Sequence, residues 1–165
     1  MRRPLIGLLS CVLGAIVVYA GPATAESGHR AKTEGDAPAA IDITGIYANN
    51  AQKRVTIKLV VPGLSHQGTF TFSYESAGYD GMAIIVRQGD KGVTSQAWHC
   101  GEDDCAKVRC SGVKIDWNVA KHFLRASVPQ SCYPLNVPKA WNFNGHSDLG
   151  NAYDSEYTKL RLGRG

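Results

Sequence analysis

The sequence predicts an all-β fold, an antiparallel β-sandwich of about 7–8 strands. Three observations predict it. Apolar and polar residues alternate with period two through much of the chain beyond residue 41, which marks strands with one buried face. Turn-forming residues interrupt these runs at intervals of about eight to twelve residues. No helix start is followed by ten residues of 3.6 period, and no internal repeat is present. A small closed barrel is the competing architecture.

Ile41, Ile43 and Ile46-Tyr47 make the first expected strand. Val55, Ile57, Leu59 and Val61 make the second, with Lys53, Thr56 and Lys58 along its opposite face. Asn49-Asn50-Ala51-Gln52 supplies the turn between them, so residues 41–61 read as a hairpin that Pro62-Gly63 ends. Phe70, Phe72 and Tyr74 alternate with Thr69, Thr71 and Ser73 in a third strand of residues suited to a pleated surface. A break at Gly78–Gly81 follows. Met82-Ala83-Ile84-Ile85-Val86 is a continuous apolar run that Gly81 and Gly89 make too short for a helix, hence a buried strand.

Val93 to Cys100 is the fifth expected strand. Val108, Cys110 and Val113 to Trp117 form a sixth, broken by Ser111-Gly112. His122 to Val128 forms a seventh, with Leu124, Ala126 and Val128 facing the core. Pro129, Pro134 and Pro138 forbid regular ladders between them, and Ala140 to Phe143 is the last strand expected. Lys53, Lys58, Lys139 and the prolines guard the sheet edges.

Residues 1–25 read as a secretory signal peptide. Arg2 and Arg3 are its basic start, Leu5 to Ala20 its apolar run, and Ala23-Thr24-Ala25 its cleavage site. Gly7, Ser10 and Gly14 dilute the run, which is shorter than the ~20 residues of a bilayer span. Leu8-Leu9-Ser10-Cys11 has the shape of a lipoprotein box, but the apolar stretch continues well past Cys11. Arg2-Arg3 is also a minimal twin-arginine signal, so the choice between the two export routes stays open. Residues 26–40, rich in Ala, Gly, Ser and charge, read as a flexible lead-in to a single domain over 41–165. The expected location is secreted and extracellular.

The chain of 165 residues carries a formal charge of +4. Loss of Arg2 and Arg3 with the leader lowers this to about +2, which gives no electrostatic case for nucleic acid or an anionic membrane. The longest like-charged run is the acidic Glu102-Asp103-Asp104.

Cys11 belongs to the leader. Cys100, Cys105, Cys110 and Cys132 remain, an even number in an oxidising compartment, and four cysteines allow three pairings. Cys100–Cys105 with Cys110–Cys132 is the favoured set: a tight loop around the acidic triplet, and a tie from one strand to the segment after another. His99, Cys100, Cys105 and Cys110 contain the ligand types of zinc, but their spacing is not that of a zinc knuckle.

Asp42-Ile43 before a hairpin, an apolar strand ending in Leu64, Val108-Arg109-Cys110, Ile115-Asp116 with Asn118, and Val128-Pro129-Gln130-Ser131-Cys132 together resemble a family. It is that of functionally uncharacterised small secreted β-sandwich proteins of high-GC Gram-positive bacteria. The resemblance covers about residues 36–145 and is strongest from Arg109 to Cys132. It implies a sandwich fold and a Cys110–Cys132 bond, and Cys100 and Cys105 depart from its pattern. It implies no activity.

Enzyme signatures are absent. Gly63-Leu64-Ser65-His66-Gln67 fails as a nucleophile elbow at its last position, and no metalloprotease, phosphate-loop or dinucleotide motif occurs. Any of His29, His66, His99, His122 and His146 could meet Ser and Asp in space, a coincidence expected in any domain, and the carboxylates Asp80, Asp116 and Asp148 sit in strands or turns where structural hydrogen bonding is commoner. Trp98, Tyr133, Trp141 and Tyr153 fall at strand ends or in loops, where flat rings stack on a sugar or anchor a partner. Core filling by Trp98 and Trp117 is the plainer reading. Asp36, Asp42 and the Glu102–Asp104 loop offer hard oxygen ligands for calcium, but without the spacing of a self-contained calcium loop they read as solvated acidic turns.

The expected function is that of a secreted non-catalytic module that binds a protein, glycan or small ligand through loops at one end of the sandwich, with no cofactor, no metal and no stable membrane insertion. A small extracellular hydrolase, with a triad assembled across strands, is the alternative. The stretch Trp98 to Cys105 loosely resembles a loop of chromoprotein apoproteins, which would imply a carrier of a hydrophobic small molecule.

Overall fold

The computed structural model describes residues 26–31, 35–75, 81–101, 103–132 and 140–163, with the backbone alone at 140 and 156–161. The expected leader, Asp80 and Tyr133 lie outside the described residues, as do Gly78, Glu102, Pro134, Pro138 and Lys139.

The strands in chain order are β1 (Glu26–Ala31), β2 (Gly45–Asn50), β3 (Arg54–Val60), β4 (Gly68–Glu75), β5 (Gly81–Gly89), β6 (Gly92–Cys100), β7 (Cys105–Val108), β8 (Lys114–Asn118), β9 (Phe123–Pro129), β10 (Ala140–Leu149) and β11 (Ala152–Gly163). They form two antiparallel sheets. One has the order β1-β2-β3-β9-β8, the other β11-β10-β4-β5-β6-β7. The expected all-β, two-sheet sandwich is what the chain forms.

Period-two patterning decides which side of each strand is dry. In β3, Val55, Ile57 and Leu59 face the other sheet, while Arg54, Thr56 and Lys58 face outward. Phe70, Phe72 and Tyr74 of β4, Met82, Ile84 and Val86 of β5, Leu124, Ala126 and Val128 of β9, and Phe143 of β10 complete the layer between the sheets. Each large side chain removed from water here contributes about 1.5–3 kcal/mol. At the centre the sheets come very close. A Cβ built on Gly145 of β10 would stand 2.5 Å from Leu59 Cδ2, so any larger residue there would force that buried leucine to shift.

The strand count is eleven among the described residues rather than seven or eight. Residues 26–31 of the expected lead-in form β1, whose whole length pairs with β2. The single strand expected over Val108–Trp117 is two strands in different sheets. The chain leaves β7 in the six-stranded sheet, turns at Ser111-Gly112 with Gly112 at φ 80°, and enters β8 in the other. β11 follows β10 through Gly150-Asn151, with Gly150 at φ 64° in a two-residue hairpin turn. Ile41 and Ile43 are fully buried but precede the first hairpin, which starts at Gly45 and turns at Ala51–Lys53.

Two disulfides, Cys100–Cys105 and Cys110–Cys132, use all four cysteines of the expected set, in the favoured pairing. The first joins directly opposed residues of the β6–β7 hairpin. The second ties the exit of β7 to the 3-10 turn after β9, across the switch between sheets. A buried polar chain reinforces the same end of β9. Gln130 Nε2 donates to Asn50 Oδ1 at 2.8 Å and to Ala51 O, and Asn50 Nδ2 donates to Leu162 O at 3.2 Å, so one sheet is pinned to β11 of the other.

Candidate functional site

The outward faces of β1, β2, β3, β9 and β8 bring together side chains that sequence distance hides. Antiparallel register aligns His29 with Tyr47, Tyr47 with Lys58, Lys58 with Arg125, and Arg125 with Asp116. One row therefore crosses all five strands, spaced by the ~4.8 Å between neighbours. Beside it runs a row of hydroxyls and an amide made by Ser27, Asn49, Thr56 and Ser127, which ends in the ammonium of Lys114. On the other side stands Phe123, paired with Val60 and Asn118.

The row is ordered by its own contacts. The Tyr47 ring, 40% exposed, stacks on His29 with centroids 4.7 Å apart. Lys58 Nζ lies 3.8 Å from the Tyr47 centroid and 5.9 Å from that of Phe123, a cation held by two rings. Arg125 donates to Asp116 Oδ2 at 2.7 Å and lies 5.9 Å from the Phe123 ring. The exposed ion pair is worth at most about 1 kcal/mol, but it orients the guanidinium. Arg54 is fixed more firmly, donating to Ser127 Oγ, Ser127 O and Gly112 O at 2.8, 2.5 and 2.8 Å.

Two adjoining grooves lie on this face. One, of about 500 Å³, is lined by His29, Tyr47, Asn49, Thr56, Lys58 and Arg125 among others. The second, of about 480 Å³, is lined by Arg54, Thr56, Lys114, Asp116, Arg125 and Ser127 with Ile115. Thr56 and Arg125 belong to both, so the grooves form a continuous track. Among the described residues lining it, four cations (Arg54, Lys58, Lys114, Arg125) surround one carboxylate, Asp116. Such a surface selects anions, and donors already held in place lose little rotamer freedom on binding.

The described aromatic residues singled out by sequence, Trp98, Trp141 and Tyr153, lie elsewhere. Trp141 is 2% exposed and packs edge-on against Tyr74 at 5.5 Å inside the core. Trp98 is half-buried on β6, and Tyr153 is 75% exposed on β11. β6 and β11 are separated by three strands of the same sheet, so these two rings do not share a patch. Trp117 packs edge-on to Phe70 at 5.2 Å and donates Nε1–H to Ser65 O at 2.8 Å.

The candidate oxygen ligands divide. Asp36 and Asp42 converge with Asp154 of β11, whereas Asp103 and Asp104 lie in the exposed turn between β6 and β7. On β10, burial holds His146 below its ordinary value of 6.5, against the opposing pull of Asp148, Asp154 and Glu75.

Neither the cross-strand row nor Asp154 was found from the sequence. The row needs the register of five strands, and Gly150-Asn151 is the turn signal that announces the strand carrying Asp154. Fold and face define a disulfide-stapled, two-sheet protein with a cationic sheet surface. No family model matches the chain, and no curated protein or solved structure matches it.

Proposed function

We propose that the protein is a secreted, non-catalytic binding module that takes an acidic glycan along the outer face of its five-stranded sheet. The observation that carries this reading is the row His29–Tyr47–Lys58–Arg125–Asp116, with its cations pre-ordered by rings and its flank of hydroxyls and amides. Carboxylate or sulfate groups of the glycan meet Lys58, Arg125 and Arg54, and sugar hydroxyls meet Asn49, Thr56 and Ser127. The track is open and elongated, which suits a polymer rather than an enclosed small molecule. The export signal read in residues 1–25 and the two disulfides support an extracellular setting for this role. The surface replaces the loops at one end of the sandwich as the proposed recognition element.

The test is calorimetric titration of the purified protein with a heparin oligosaccharide and with polygalacturonate, using neutral chitohexaose as control. Binding of an acidic glycan at low salt is expected, falling steeply as ionic strength rises and absent for chitohexaose. The double variant Lys58→Ala/Arg125→Ala should bind at least about tenfold more weakly, about 1.4 kcal/mol, with its melting temperature little changed. A folded protein that ignores both acidic glycans at low salt, or binds the neutral one as well, refutes the proposal.

A further inference from the structure

We infer that Asp36, Asp42 and Asp154 form a calcium site that clamps the segment between β1 and β2 onto β11. Oxygen atoms from the three carboxylates lie within 4.8 Å of one another. Two ligands sharing one Ca²⁺ at its usual bond length stand no more than about 5 Å apart, so the cluster has the dimensions of a calcium shell. Its donors are all hard oxygens, the chemistry that calcium prefers over transition metals.

A second observation points to a ligand independently. Asp42 is 6% exposed, and its Oδ1 is buried without a hydrogen-bond partner among the described residues, while its Oδ2 accepts the Gly35 N–H at 2.9 Å. A buried carboxylate oxygen left unpartnered is costly, and a divalent cation offsets that cost most directly. Asp154, 5% exposed, brings a second carboxylate to the same place, and its Oδ2 accepts the Ile43 N–H at 2.7 Å. Asp36 is exposed and supplies the solvent side of the site.

The surroundings hold these carboxylates still. Ile41 and Asp42 N–H groups both donate to Pro38 O, which coils the segment. Ser147, directly opposite Asp154 in the β10–β11 ladder, donates its hydroxyl to Ile41 O at 2.6 Å. Gly35 takes φ 98°, which brings its N–H to Asp42. The site thus joins residues 35–43 to β11, and it fastens the segment that leads from β1 into the core. It lies apart from the cationic track and stands whether or not that surface binds a glycan.

The experiment uses protein stripped with EDTA and dialysed, titrated calorimetrically with CaCl₂ and, separately, MgCl₂, with melting temperature read in parallel. Saturable binding of one Ca²⁺ per chain is expected, with Mg²⁺ at least tenfold weaker and a melting temperature that rises with calcium and falls with EDTA. Asp36→Asn, a change at an exposed position, should weaken calcium at least tenfold. Asp42→Asn should abolish binding while its amide oxygen still accepts the Gly35 N–H. Absence of saturable Ca²⁺ binding by folded wild-type protein overturns the inference. So does equal affinity for Mg²⁺, or calcium binding unchanged in both variants.

Discussion

Removing Cys110–Cys132 should cost the protein more than removing Cys100–Cys105, and the loops that each bond closes say by how much. The bonded cysteines are 22 and 5 residues apart in sequence. Chain-closure entropy in the unfolded state then gives about 3.4 kcal/mol for the long loop and about 2 kcal/mol for the short one. Structure widens the gap. Cys110–Cys132 spans the passage from one sheet to the other, and both cysteines pack against the core, so the bond constrains β7, β8 and β9 together. Cys100–Cys105 closes an edge hairpin whose β7 strand is mostly exposed and pairs with β6 alone. Local opening there leaves the core intact. The assay is equilibrium urea unfolding of Cys110→Ala/Cys132→Ala and Cys100→Ala/Cys105→Ala, followed by fluorescence of buried Trp141 and half-buried Trp117. With a slope of about 1–3 kcal/mol/M, the first variant should lose at least about 1 M in midpoint. A smaller loss for the Cys110–Cys132 variant than for the hairpin variant would refute the reasoning.

Gly145→Ala should destabilise the protein by about 1–3 kcal/mol through overpacking against Leu59. Adding Leu59→Val to it should recover part of that loss, measurable as a coupling of about 0.5–3 kcal/mol in a double-mutant cycle. Gln130→Ala strips the buried Asn50 Oδ1 of its donor and should cost about 1–3 kcal/mol by urea unfolding. His146 provides a pH test. Its folded-state affinity for a proton is lowered, so the unfolded chain binds the proton more readily. Its contribution is intact above the ordinary value of 6.5 and is lost as pH falls from there toward the folded value. Unfolding midpoints of His146→Asn between about pH 5 and 8 should fall less on acidification than those of wild type.

What could be read from the chain alone was whatever depends on residues close together in sequence. Val55, Ile57 and Leu59, or Phe70, Phe72 and Tyr74, declare a strand and its buried face by alternation alone, because the pleat has period two. The two-sheet class follows from many such strands, and the favoured disulfide set required only loops that the chain could close. β1 escaped because Glu26–Ala31 has no apolar face, and its strand exists only because β2 offers a ladder. Whether Ser111-Gly112 kinks one strand or sends the chain to another sheet is decided by where β9 can pair, not by the turn residues. The candidate site is hidden for the same reason. His29, Tyr47, Lys58, Arg125 and Asp116 become neighbours only when five registers are fixed at once. Asp42 and Asp154 meet across more than a hundred residues. Local patterning determined which residues are dry, and long-range hydrogen-bond register, which no single segment encodes, decided which of the wet ones stand together.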